Sequence, residues 1–211
     1  MSTATDRVEF ASGSADEVLR FWLEDGLELG WPSRSMGALW FGGGESVDLD
    51  IRQRFGDLVH QAVAGGLTPW EATPLQRLAL VVLLDQFTRN VFRGQARAFS
   101  GDTRAQSLAL DAIDRGLGAV LPLVAQVFLA MPLMHAENME LQQRCVGFFE
   151  TLSIGAPQEH AQSVQDHLDA AREHRDIIAR FGRFPHRNAV LGRPDTAPEQ
   201  DYLVKGRRFG Q

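Results

Sequence analysis

Apolar residues recur along this chain at three- and four-residue intervals in almost every segment, which is the spacing of one helix face. Ser14-x-x-Glu17 has the form of a capping box, and Val18, Leu19, Phe21, Trp22 and Leu23 follow it. The stretch from Gly26 to Glu45 is turn-rich, with Trp31, Pro32, Trp40 and the triplet Gly42 to Gly44. The triplet lacks the lysine and preceding strand of a phosphate-binding loop, so it reads as a turn. Ile51, Phe55, Leu58, Val59 and Ala62 predict the next helix, which Gly65-Gly66 ends. Thr73-Pro74 places a cap ahead of proline at the first helical position. The helix it opens is apolar nearly all round from Leu78 to Leu84, which assigns it to the centre of the fold.

Further along, Asp102 is expected to cap a helix with the stripe Ala105, Leu108, Ala109 and Ile113. Ala119 to Met134 is the most hydrophobic run. It holds Pro122, Gln126 and Pro132 and falls short of the roughly 20 apolar residues of a membrane span, so a buried core helix is expected. Asn138 is placed to cap the helix of Leu141, Val146, Phe148 and Phe149. Ala156-Pro157 opens a long helix to about Phe181, with Val164, Leu168, Ala171, Ile177 and Ile178 on its apolar side. Thr196-x-x-Glu199 is a final capping box ahead of Tyr202 and Leu203. No segment alternates with period two. The expectation is an all-α protein of about eight helices, one domain over residues 1–211 with its core at about 14–205.

Composition narrows the function classes. A formal net charge of −6 argues against a sequence-independent grip on nucleic acid. Cys145 is the only cysteine, so no internal disulfide forms, which fits a reducing compartment. The start, MSTATDRVEF, has no apolar core for a signal peptide, and a cytoplasmic protein is expected. Lys205 is the only lysine; every other cation is arginine. That reads as a composition bias of the source genome and weakens any argument from the choice of Arg over Lys. Cys145, among Val146, Phe148 and Phe149, reads as a core thiol.

Three polar clusters stand out against this apolar background. The first is DQFTRNVFRG, Asp85 to Gly94, at the end of the most apolar helix. Asp85 and Arg89 have the i,i+4 spacing of an ion pair. Either the polar groups here satisfy one another, or Arg89, Asn90 and Arg93 face a cleft and take an anion or a partner's carboxylate. The second is FGRFPHRN, Phe181 to Asn188. Pro185 forces Phe184 out of helical geometry, leaving Arg183, His186, Arg187 and Asn188 in a rigid loop. Arg187 is placed to satisfy carbonyls at a helix end or to stack on Phe184. Function and a fold-locking corner remain alternatives at this site.

The third cluster, MPLMHAENMELQQ, holds His135 and Glu137, either a pair suited to metal or acid-base chemistry or a His135 hydrogen-bonded in an interhelical corner. No second His or Cys lies near enough to complete a metal set, and neither metal nor other cofactor is expected. His160, His167 and His174 share one helix face, about 10.5 Å apart at 1.5 Å rise per residue, too far to share one ion. Their charged neighbours Glu159, Asp166, Asp169, Arg172 and Glu173 predict an exposed face. There is no Gly-x-Ser-x-Gly elbow.

Together these blocks carry a resemblance. LLDQFTRNVFRG with the following RAFSGD, then PLMHAENMELQQ, then FGRFPHRN with LGR and the closing T-x-x-E resemble the bacterial domain-of-unknown-function 924 family, from about Val18 to Leu203. Where the family commonly has Phe-Pro-Arg-Asn, this chain has Phe87-Thr88-Arg89-Asn90, and Thr88 is expected to loosen that turn slightly. The resemblance implies a tetratricopeptide-like superhelical stack of antiparallel helix pairs with a concave face. It implies marked positions but no reaction.

Three readings follow. In the first, the clusters meet in one groove lined by Arg89, Asn90, His135, Glu137, Arg187 and Asn188, which binds a protein, a peptide or a small anionic ligand. Arg93, Arg183 and His186 belong to the same candidate set. In the second, His135 is a general base oriented by Glu137, and arginines stabilise an anionic transition state. In the third, the clusters only tie helices together.

Overall fold

The structure is a computed structural model and describes residues 14–205. The expectation about the opening ten residues, and the ends of the 1–211 domain, lie outside the described residues. Ten α-helices are present among them, eight of seven residues or more, and no strand. They are α1 (Ala15–Leu23), α2 (Gly26–Leu29), α3 (Glu45–Val63), α4 (Pro74–Val82), α5 (Thr88–Val91), α6 (Asp102–Asp114), α7 (Leu123–Met134), α8 (Met139–Gly155), α9 (Ala161–Phe181) and α10 (Ala197–Lys205). None is long and apolar enough to cross a membrane.

The expected helix starts are built as capping chemistry requires. Ser14 Oγ accepts the Glu17 amide at 3.2 Å, and Asn138 Oδ1 accepts the Leu141 amide at 3.0 Å. Thr73 Oγ1 accepts the Gln76 amide at 3.4 Å, and the Glu199 carboxylate accepts the Thr196 amide at 2.7 Å. Asp102 departs from expectation. Gly101 holds the cap position of α6, and Asp102 is the first helical residue with no capping bond. Its carboxylate is taken instead by Arg89 and Arg187.

α4 and α7 form the centre. Every residue from Leu78 to Leu84 is buried, as is nearly all of α7. One continuous apolar core joins them to α1, α3, α6, α8 and α9. Trp22 meets Phe87 and Phe128 edge-on, with ring centroids 5.3 and 5.6 Å apart. α8 and α9 form an antiparallel hairpin: Met139 at the start of α8 packs near Ile177 and Ile178, and Phe149 stacks on His167 at 6.1 Å. These successive pairs are compatible with a tetratricopeptide-like stack.

α4 does not stop at Val82. It widens into a π-turn, Leu83–Phe87, and resumes as α5. The Thr88 amide donates to the Leu83 carbonyl across this turn. Where loosening was expected, the buried Thr88 hydroxyl donates to the Leu84 carbonyl at 2.8 Å and ties the turn. Gly101 packs against the same carbonyl so closely that a Cβ would lie 2.2 Å from it. The π-turn therefore sets both the direction of Asp85 and the position of α6.

The histidine face of α9 corrects an expectation of exposure. His160 stacks on Trp31 at 5.8 Å, His167 on Phe149, and buried His174 meets Phe184 edge-on at 5.5 Å. The seven-residue stripe runs from His160, the residue that caps α9, down the inward edge of α9, and the acidic neighbours within the helix occupy its other faces. Burial first, then His135, pushes His174 down to about 3. Its folded value lies below the unfolded one of roughly 6.5, so the unfolded chain binds more protons between them. The contribution of His174 is full above about pH 6.5 and falls by up to about 1.4 kcal/mol per pH unit on acidification toward pH 4, and His186, pushed down likewise, adds to the slope. Urea unfolding at pH 7, 5.5 and 4.5 should show this slope, reduced in His174→Gln; equal slopes in the two proteins would exclude His174 as its source.

Candidate functional site

The three clusters supply a closed ring of polar contacts. Asp85, on the π-turn and 1% exposed, accepts from His135 Nδ1 at 2.8 and 2.9 Å. Gln86 Nε2 donates to the same carboxylate at 2.5 Å. Arg89, one turn on, lies 3.5 Å from Asp85 and reaches Asp102 at 3.1 Å. Arg187 meets Asp102 at 3.4 Å and donates to the His135 carbonyl at 3.0 Å, which completes the ring. Phe99 and Phe184 sandwich the Arg187 guanidinium, each 4.6 Å away.

The electrostatics follow from this arrangement. Burial pushes Asp85 upward, but the facing His135 and Arg89 groups and the hydrogen bonds outweigh it, so the carboxyl sits below its usual range. Burial, joined by repulsion from Arg89, pushes Arg187 down to about 10. Two arginines thus share the second carboxylate, Asp102, at long range. His135 is 17% exposed at its side chain, and its Nε2 has no hydrogen-bond partner among the described residues.

The other candidates do not join the ring. Asn90 and Arg93 turn to α3, where Asp48 accepts from Asn90 at 2.9 Å and from Arg93 at 2.5 and 2.8 Å. Glu137 does not orient His135. It accepts from Arg193 at 2.6 and 2.9 Å and from the Phe184 amide at 2.8 Å. Arg183 grips Glu199 at 2.6 and 2.8 Å and holds α10 to the loop. Asn188 donates to Asp195 at 2.7 Å. The His186 ring lies 5.4 Å from Phe184, and burial, then Arg187, pushes it down to about 3. The expected single groove is therefore a ring of Arg89, His135 and Arg187 with separate ties around it. An open cleft of about 850 Å³ lies elsewhere, beside α1 and α3, and its lining includes Arg20, Glu24, Arg34 and Arg54 but none of the candidates.

Asp48, Asp102, Arg193 and Glu199 were not foreseen as partners. Asp102 carried a signal, since it closes the RAFSGD block. Arg193 carried one too, since it closes the LGR block, whereas Asp48 carried none, being a charged residue in an otherwise ordinary segment. The buried Cys145 thiol is pushed well above its ordinary value by burial, as a core thiol should be.

Fold and site define an all-helical protein organised around a buried ion-pair ring. The chain belongs to the family described as bacterial protein of unknown function (DUF924), matched over residues 18–207. It is similar to a solved structure, the protein of unknown function ATU0120 from Agrobacterium tumefaciens. The two are 35% identical with a TM-score of 0.75, over 91% of this chain and 97% of that one. No curated protein matches the chain.

Proposed function

We propose that this is a one-domain cytoplasmic helical protein that binds a small anionic ligand, a carboxylate or phosphate, at the Arg89–Arg187–His135 corner. One contrast carries the reading. Arg93, Arg183 and Arg193 each hold a carboxylate in a tight two-point fork of 2.5–2.9 Å. Arg89 and Arg187 instead share Asp102 at 3.1–3.4 Å, and Arg187 Nε has no hydrogen-bond partner among the described residues. The tight forks are structural ties: each engages both oxygens of one carboxylate, although Arg193 Nε, like Arg187 Nε, lacks a partner among the described residues. The shared carboxylate leaves cationic capacity, which an anion would complete. Half-buried Phe99 forms the rim of this corner, which favours a small ligand over a peptide.

Binding to the folded state alone stabilises it by about 2.7 kcal/mol at a hundred times Kd. For a chain of this size, roughly 2–4 °C of Tm accompanies each kcal/mol. Thermal unfolding in phosphate, sulfate and citrate should therefore show a Tm rise of several degrees, reduced in Arg89→Lys and Arg187→Lys. Equal shifts in wild type and both variants would place anion binding elsewhere.

A further inference from the structure

We propose that His135 is a general base, positioned by Asp85, which acts on the ligand anchored by Arg89 and Arg187; this rests on the anion-binding reading above. His135 Nδ1 faces a buried carboxylate at 2.8–2.9 Å, which holds the proton on Nδ1 and leaves the lone pair on Nε2. Gln86 and Arg89 fix that carboxylate in turn, so the imidazole has one orientation. Arg187 holds the His135 carbonyl, so the anion-binding donors and the base belong to one rigid unit. The other imidazoles close by, His174 and His186, are pushed down to about 3 and remain neutral. Nothing in the ties around the ring needs an exposed His135 edge.

The reaction class is one opened by proton removal from a carboxylate- or phosphate-bearing substrate. The Nε2 lone pair forms a new N–H bond, and an O–H or C–H bond of the ligand, or of water beside it, breaks. Its electron pair stays on the oxygen or carbon. The resulting imidazolium donates to Asp85, whose negative charge stabilises it. Asp85 is the positioning residue, and His135 the catalytic one.

Diethyl pyrocarbonate tests this without a known substrate. A neutral Nε2 attacks its carbonyl carbon and displaces ethyl carbonate, and peptide mass spectrometry reads the modified histidine. His60 is a matched reference inside the chain: it is exposed, and its Nδ1 bonds a backbone carbonyl, that of Gly56, at 2.9 Å. The expected result is that His135 reacts at least as fast as His60 although it is far less exposed. Asp85→Asn should slow His135 tenfold or more and leave His60 unchanged, while Glu137→Gln slows neither. A His60 rate tenfold above that of His135 in the wild type overturns the proposal, even where Asp85→Asn does not fold. An unchanged His135 rate in folded Asp85→Asn overturns it as well. Inorganic phosphate and citrate should each slow His135 alone. If they do not, the anion-binding reading falls although the imidazole is reactive; if they do while His135 is slow, binding stands and the base falls.

Discussion

Arg187→Ala is expected to cost about 3–5 kcal/mol in urea unfolding, the range for breaking a buried ion pair. Arg187 is 7% exposed at its side chain and joins four groups: Asp102 at the start of α6, the His135 carbonyl at the end of α7, and the Phe99 and Phe184 rings. Alanine removes the cation and the stacking together. Asp102 then keeps Arg89 alone, and the loop of Phe184 loses its anchor to α6. Arg187→Lys should recover part of the loss, because ammonium keeps the charge but cannot stack flat between two rings or offer the planar fork whose two nitrogens reach Asp102 and the His135 carbonyl. A loss below about 1 kcal/mol would show that the ring does not tie the helices. Stability unchanged with the phosphate shift abolished would make Arg187 a binding group only.

Gly101→Ala should be nearly as damaging, about 3 kcal/mol at the upper end of overpacking effects. The new methyl would sit 2.2 Å from the Leu84 carbonyl oxygen and 2.9 Å from its carbon. Those atoms are backbone, fixed by the Thr88 hydroxyl, so no side chain can swing aside. The Gly101 backbone itself, φ −88° and ψ −14°, suits alanine, so the whole cost comes from the contact. α6 must move off the π-turn, which draws Asp102 away from Arg89 and Arg187. Anion-induced stabilisation should fall with it. Gly147→Ala in α8, where nothing lies within 4 Å of the added Cβ, is the control and should be stabilising by about 0.5–1 kcal/mol. Equal effects at the two positions would show that helix propensity, not the Leu84 contact, governs Gly101.

The cluster residues show where local pattern runs out. The Asp85–Arg89 pair was legible because helical spacing places i and i+4 on one face. The partners of Arg93, Arg183 and Arg187 lie 45, 16 and 85 residues away, and no spacing rule reaches that far. His135 and Glu137 are two residues apart, and the sequence presents them as a pair. The chain turns between them at the end of α7, so one faces Asp85 and the other Arg193. The α9 histidines had the right periodicity with the wrong side assigned, because charged neighbours flank a stripe without saying which edge is covered.

Short-range physics is therefore what the sequence determined by itself: an all-α chain, its helix starts at Ser14, Thr73, Asn138 and Thr196, and the buried centre from Leu78 to Leu84. Capping and periodic burial act within one or two turns, so they are written in neighbouring residues. Partner choice was decided only by tertiary structure. Asp102 has the spacing of a helix cap, yet the π-turn at Leu83–Phe87 and the close approach of Gly101 bring it between Arg89 and Arg187. A buried carboxylate pairs with whichever cations the packing delivers, because leaving it unpaired costs more than any local cap returns.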